Sequence, residues 1–566
     1  MKKLITMLLA LAMVLGMLSG CGSSAVQEST ASAASETASE TETEPEAAEE
    51  DEEASAPAEA APAEETSAEE AEVTASDAGM ASILPCDETV TLTMMWPWVG
   101  FYNTVGIEDM SQSVWLNEME ARTNVHLDLT LVGDEYETTF MLMCAGGDLT
   151  DIIASADSNY STGADACVED EIIIDLSDKL EEYAPNYYKL LSENEDIRKQ
   201  STTDSGYVTS FKYTYSTPQT NRNLPVIRKD ILDELGMDVP ETLDEVHELL
   251  TIARDQYNMD CALLTDDIGT SSYIQTAFGP YGLYIDDGTV VYDYRTENFK
   301  NYVDYMRSLV ADGLVNSDFV SMDVGADYSA YVTGGRSLIV NGMLYSDMNQ
   351  YEDDGIDLVA LPSALADASV KSEMGDIPVY AASSNATSIS TQCENVEIAM
   401  AFFDYNYSEE GALLANYGVE GVTFEYDENG KPQYTEKITA NPDIPQVLTL
   451  MYDCCWACGY LLDIHNLDGT LTEDELVAQE TYQAAFSGHS QTYPSDFITL
   501  TSDESSEIST IQTDLDTYVE ENVAHFIAGD QDMSGFDSFV ESIYEKFDMD
   551  TLTSVYADAY ERYLAR

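Results

Sequence analysis

The sequence predicts an α/β protein built as two lobes, and three observations predict it. Strand-like and helix-like segments alternate from Thr89 onward, the order that gives a parallel sheet covered by helices. The stretch from about Cys86 to Arg566 is long enough for two lobes or domains with sizeable cores. The residues before it split into an apolar leader and an acidic, aromatic-free run, neither of which has the pattern of a folded domain.

The leader comes first. Lys2 and Lys3 precede the apolar run Leu4–Leu18, the charged start and hydrophobic middle of a secretory signal. That run is shorter than the roughly 20 apolar residues a membrane-spanning helix needs. It closes on Leu18-Ser19-Gly20-Cys21, which resembles the lipobox of bacterial lipoproteins, where the cysteine sulfur takes a diacylglyceryl group and becomes the first residue of the mature protein. The resemblance implies a signal peptide over 1–20, lipidation at Cys21 with acyl chains such as palmitate, and attachment to the extracytoplasmic face of the cell membrane. Two chains anchor firmly, because each buried methylene contributes about 0.8 kcal/mol and one chain alone holds only marginally. Residues 21–86 then read as a disordered acidic linker: no aromatic residue precedes Trp96, and no Lys or Arg lies between Lys3 and Arg122. Its like charges extend it.

In the folded part, 87–566, "TVTLTMMW" alternates Val90, Leu92, Met94 and Trp96 on one face, as a strand does. "SQSVWLNEMEART" has helical spacing, "VHLDLTLV" is a second strand, "YETTFMLMCAGG" is a helix ended by glycine, and "DIIAS" is a third strand. Further on, "LPVIRKDILDELG" passes from strand to helix, "PETLDEVHELLTIARDQY" opens a long amphipathic helix with proline and an acidic first turn, and "CALLT" returns as a strand. "RSLIVNG" and "IDLVALP" are buried strands by composition. After "CENVEIAMAFFDYNY" the chain is mainly helical, interrupted by a hairpin around Asn429-Gly430.

Against 22 Lys and Arg stand 107 Asp and Glu, a net charge of -85. Nucleic acid is excluded as a partner, because phosphate binding needs Lys and Arg. Of nine cysteines, Cys21 is the lipidation candidate, and the other eight lack the spacing of a small disulfide scaffold. Cys455-Trp456-Ala457-Cys458 is a CxxC, but the helix opening that redox chemistry uses and the second ligand pair that zinc needs are not apparent.

Several segments together resemble the extracellular solute-binding proteins of bacterial ABC importers, in particular the long lipoproteins of the carbohydrate-binding group. They are the lipobox at Cys21, "GGDLTDII" (Gly146 to Ile153), "IRKDILDELGMDVPETLDEVHELL" (Ile227 to Leu250), "DGLVNSDF", "NYGVEGVTFEYDENGKP" and "FIAGDQDMSGFDSFVESI". The resemblance runs over Thr89 to Arg566; the sparse Lys and Arg are a departure that bears on the class of ligand. It implies a periplasmic-binding-protein-like fold of two α/β lobes with a hinge between them: lobe 1 at about 87–210 plus 340–390, lobe 2 at about 215–335 plus 395–566. It further implies a monomer that holds solute in the interlobe cleft, changes none of its bonds, uses no cofactor, and passes its cargo to ABC permease subunits. No Walker A loop, HExxH or GxSxG is present in the sequence.

Ligands in open α/β sheets lie beyond the carboxyl ends of strands. After the first strand come Trp96, Trp98, Tyr102 and Asn103, whose flat rings and amide suit the apolar faces and hydroxyl rims of sugars. Trp96 also continues the core face of the strand; Trp98, beyond Pro97, is the stronger candidate. Asp157, Asn159 and Tyr160 follow "DIIAS", Asn341 and Tyr345 follow "SLIV", and Trp456 lies in the helical part. Two EF-hand-like stretches, Glu425–Glu436 and Ile464–Glu475, lack the initial Asp and read as turns, so no metal is expected. The cargo expected is a neutral oligosaccharide. A peptide or other small polar solute is the alternative within transport; a surface-attached glycan-cleaving enzyme or an adhesin is the alternative outside it.

Overall fold

A computed structural model describes residues 74–219, 223–265, 274, 277–316, 319, 324–362, 379–444, 446–466, 471–485 and 491–566. The leader at 1–20, Cys21 and the linker as far as residue 73 lie outside the described residues.

The expected βαβαβ start is present. Val90–Pro97 (β1) pairs in parallel with Val125–Val132 (β2) and with Ile152–Ala154 (β3), and the helices Val114–Thr123 and Tyr136–Gly146 connect them. Ser113 starts the first helix by accepting the Leu116 N–H at 3.3 Å, and Asn124, at φ 54°, ends it in the left-handed conformation. Strand alternation divides the apolar residues between two cores: Leu92, Met94 and Trp96 face the larger, Met95 and Ile153 the smaller. A sheet covered on both faces is what a parallel arrangement requires.

The remaining strands are Phe211–Gln219 (β4), Asn223–Arg228 (β5), Leu263–Leu264 (β6), Gly282–Asp286 (β7), Thr289–Asp293 (β8), Ile339–Leu344 (β9), Leu358–Ala360 (β10), Val379–Ile389 (β11), Phe424–Tyr426 (β12), Pro432–Tyr434 (β13) and Leu461–Leu462 (β14). Six form one sheet in the order β14-β4-β11-β3-β1-β2, with β11 antiparallel to its neighbours. Four form a second, β10-β5-β9-β6, in which β5 opposes the rest. The second sheet also has a core on each face, one around Ile227, Leu263 and Ile339, the other around Val226, Leu264 and Val340.

Strand pairing corrects the expected lobe boundaries. Within 340–390, β9 and β10 join the second sheet and only β11 returns to the first. Within 395–566, the helices Val396–Asp404, Glu409–Tyr417 and Gln446–Asp453 pack on the six-stranded sheet, and the helices from Ser502 onward pack on the four-stranded one. Runs such as "SLIV" and "DLVA" mark buried strands, but their pairing partner β5 lies more than a hundred residues away, so local pattern does not assign the sheet. The linker boundary at 86 is corrected too. Ser76 bridges Ser408, its N–H donating to Tyr407 O at 2.9 Å, and Leu84 is buried in the first core.

Two buried carboxylates tie the molecule together. Asp404, at the end of its helix, accepts from the N–H groups of Asn186 (3.3 Å) and Tyr187 (2.8 Å) and from Asn186 Nδ2 (2.7 Å), and so serves the start of helix Pro185–Glu193. Burial pushes its carboxyl up to about 7, against the pull of those donors. Asp204, on the first lobe, is paired with Arg562 and Arg566 at the end of helix Met549–Ala565, which belongs to the second core. The Arg566 guanidinium also donates to Lys199 O at 3.0 Å and Phe497 O at 2.8 Å.

Candidate functional site

The chain passes between the sheets from β4 to β5, from β10 to β11, and again after β14. Only four Cα steps separate Gln219 from Asn223, at most about 15 Å. In the first sheet β1, β2, β3, β4 and β14 share one direction, so their carboxyl ends lie where β4 departs. In the second sheet the carboxyl ends of β6, β9 and β10 lie beside the start of β5, where the chain arrives. The carboxyl edges of both sheets therefore flank the crossings, and the candidate site lies between them.

The first group of residues is at the exit of β1. Trp96 is not part of it: fully buried, its ring sits 6.3 Å from that of Trp115 in the core. Trp98 is pinned to the end of β2, its backbone N–H donating to Val132 O at 2.7 Å. Its ring lies 5.1 Å from Tyr102, and the Tyr102 ring lies 5.6 Å from Tyr452 on helix Gln446–Asp453. Every polar atom of this ladder is already engaged. The Trp98 indole N–H donates to Asn103 Oδ1 at 3.2 Å, Tyr102 donates to Leu448 O at 2.8 Å, and Tyr452 donates to Asp109 O at 3.0 Å. Tyr102 is 1% exposed, and burial raises its hydroxyl far above the ordinary tyrosine range, so it is core support and not a ligand contact. Asn103 is exposed and holds the indole. Trp98, at 8% exposure, is the end ring of the ladder on the β1 side, and Tyr452, at 8%, is its other end.

At the exit of β3, Asp157 is a buried carboxylate instead of a solvated loop residue. One of its oxygens accepts from Thr209 at 3.0 Å, Ser210 at 2.9 Å and the ammonium of Lys212 on β4. This pair joins the exit of β3 to the start of β4 and leaves no net charge there. Asn159 Nδ2 is turned back to Ser155 O at 2.7 Å, and Tyr160 donates to Asp170 at 2.7 Å while resting on Phe140. On the second lobe, Asn341, inside β9, is half-buried and its Nδ2 lies 3.4 Å from Oγ1 of Thr265, which follows the neighbouring β6. Tyr345 opens the 3-10 helix Tyr345–Asp354 directly after β9. Trp456, half-buried against the first core between helix Gln446–Asp453 and β14, has an indole N–H with no partner.

Tyr452, Lys212 and Thr265 complete these groups and were not marked by sequence. Lys212 alone carried a signal, a cation inside a strand of a chain poor in cations. Of the EF-hand-like stretches, the first is a turn in which Asp427 accepts from the N–H groups of Asn429 and Lys431, both at 2.8 Å. In the second, Asp468 and Gly469 lie outside the described residues. Among the described residues no group of His, Cys, Asp and Glu is arranged to hold a metal ion, and no helix is long and apolar enough to cross a membrane.

Comparison with known proteins agrees with this architecture. The chain is 26% identical over 338 residues to lipoprotein LipO of Bacillus subtilis, a match covering 55% of this chain and 64% of LipO, less than two thirds of that relative's own length. It is 20% identical over 487 residues to the fructooligosaccharide ABC transporter substrate-binding protein FusA of Streptococcus pneumoniae, covering 81% of this chain and 88% of FusA. The HMO-binding, ABC-transporter-associated solute-binding protein of Bifidobacterium longum infantis has the same fold, with a TM-score of 0.70 at 15% identity over 84% of this chain and 99% of that one. The family model for bacterial extracellular solute-binding proteins matches residues 111–413, more than half of the sequence. The chain belongs to the family of bacterial extracellular solute-binding proteins.

Proposed function

We propose that this protein captures a neutral oligosaccharide between the facing carboxyl edges of its two sheets and delivers it unchanged to the permease subunits of an ABC importer. The observation that carries the proposal is the aromatic ladder ending at Trp98 on one edge, with the Asn341–Thr265 pair on the other. A ring whose polar atom is already satisfied offers a ligand its face, which suits the C–H surface of a sugar, while amide and hydroxyl groups suit its rim. The neutralised Asp157–Lys212 pair favours an uncharged cargo over a uronate. FusA, named for fructooligosaccharides, and the HMO-binding protein support the class of cargo. Cargo that contacts both edges draws the lobes together because it binds the closed state better. Lipidation of Cys21 holds the protein at the extracytoplasmic membrane face, where it acts as a monomer.

A thermal-shift screen of fructo-oligosaccharides, milk-type oligosaccharides, oligogalacturonides and peptides tests this reading, with chromatography of each sugar afterwards. Neutral sugars raise the melting temperature and come back intact; a free sugar at a hundredfold its dissociation constant stabilises by about 2.7 kcal/mol. Cleaved sugar makes the protein an enzyme, and stabilisation by peptides or uronates alone replaces the cargo.

A further inference from the structure

The CxxC is a sequence motif that cargo capture leaves unused. Cys454, Cys455 and Cys458 occupy the turn between helix Gln446–Asp453 and β14, and all three are buried. They do not share one environment. Cys454 packs with Ile438 and Leu450 in a small separate cluster, whereas Cys455 and Cys458 both enter the main core of the first lobe. There Cys458, three residues along the same turn, is the neighbouring thiol that acts on Cys455. The turn is fastened on both sides. The Cys455 N–H donates to Ala415 O at 2.9 Å, the Gly459 N–H donates to Thr387 Oγ1 at 3.0 Å, and Asn406 Nδ2 donates to Gly459 O at 3.2 Å. Gly459 fits against β4 so closely that a Cβ there would stand 2.1 Å from Phe211 O. Two buried thiols three residues apart in one core, on a turn fastened on both sides and in a protein of an extracellular family, have the setting of a structural cross-link.

We propose that Cys455 and Cys458 form a disulfide in the exported protein, with Cys454 left as a thiol. Both S–H bonds break and one Sγ–Sγ bond forms. The two protons and two electrons pass to a dithiol–disulfide oxidant outside the cytoplasm, whose own disulfide is reduced to two thiols. Exchange proceeds through a thiolate, and burial holds the Cys455 thiol well above its ordinary range, so the folded core is a poor place for the reaction. Oxidation therefore takes place on the open chain after export, and folding seals the product. The cross-link fixes the turn that places Tyr452 under the Trp98 ladder and leads β14 towards the second lobe.

The test is a count of thiols in the full chain recovered from outside the cytoplasm. No Lys or Arg lies between Lys437 and Lys546, so trypsin releases residues 438–546 as one peptide that holds only these three cysteines. Alkylation with iodoacetamide in denaturant, without reductant, is expected to place one label on this peptide, and prior reduction three. Cys458→Ser is expected to give two labels without reductant, and Cys454→Ser none. Because labelling is done on unfolded chain, neither variant needs to be stable. Three labels on the unreduced wild-type peptide overturn the proposal, as does any unreduced label on the Cys454→Ser peptide.

Discussion

At Trp98 a single substitution tests both stability and the proposed binding. The ring is 8% exposed and packed on Tyr102, so Trp98→Ala removes core contacts as well as the end ring of the ladder on the β1 side. The expected result is a loss of about 2–4 kcal/mol in denaturant unfolding, with at least a several-fold weaker affinity by calorimetry for whichever sugar the wild type binds. Asn103→Ala separates the two effects: the residue is exposed, so stability is little changed, while the released indole lowers affinity by about 0.5–1.5 kcal/mol. Asp404 carries a different consequence. Its folded value of about 7 lies above the ordinary carboxyl value of 3.8, so the native state holds its proton more tightly. Its contribution to stability is complete below about pH 4 and is lost as the pH rises through 7. In Asp404→Asn, the pH 5 minus pH 8 difference in unfolding free energy should shrink by on the order of 2–4 kcal/mol, measured by urea titration at both pH values. The sequence showed Trp98 as a candidate because Pro97 interrupts the strand pattern just before it. It could not show Asp404 or Asp157 as buried, since their partners come from distant elements and a carboxylate looks alike in a loop and in a core.

Helix Leu243–Tyr257 shows how an element is specified locally. Thr242 Oγ1 accepts the Glu245 N–H at 3.3 Å and the Glu245 carboxylate accepts the Thr242 N–H at 3.0 Å, a capping box spelled out by adjacent residues. Thr242→Ala should cost about 1 kcal/mol in unfolding free energy with an unchanged denaturant slope, read from the midpoint of a urea curve. Elements of this kind, together with β1, β2, β3 and the hairpin of β12 and β13, were legible because their signals lie within a few residues. β11 was not: "VYAASSNATSI" is rich in Ala, Ser and Thr, so no apolar period marks a strand that sits between β3 and β4 in the middle of its sheet. Sheet membership was equally hidden for β9 and β10. Pairing such as Asn223 with Leu344 is chosen by the assembled core, not by neighbours in the chain.

Across the whole molecule, the Asp204 junction joins the lobes at a place other than the crossing strands. The carboxylate and the Arg566 side chain are 1% and 4% exposed, so opening this contact would strand buried charge. Asp204→Ala should lower stability by about 3–5 kcal/mol. It should also raise the radius of gyration of the sugar-free protein in small-angle scattering, because helix Met549–Ala565 then loses its hold on the first lobe. An unchanged radius would mean that the crossing strands alone set the angle between the lobes. The beginning of the described chain adds a mechanical consequence. Ser76 is stitched to Tyr407 and Glu409, and Lys189 meets Asp77, all on the first lobe. Drag on the preceding stretch is therefore taken up first by this jaw and reaches the opposite one only through the crossing strands and the Asp204 junction.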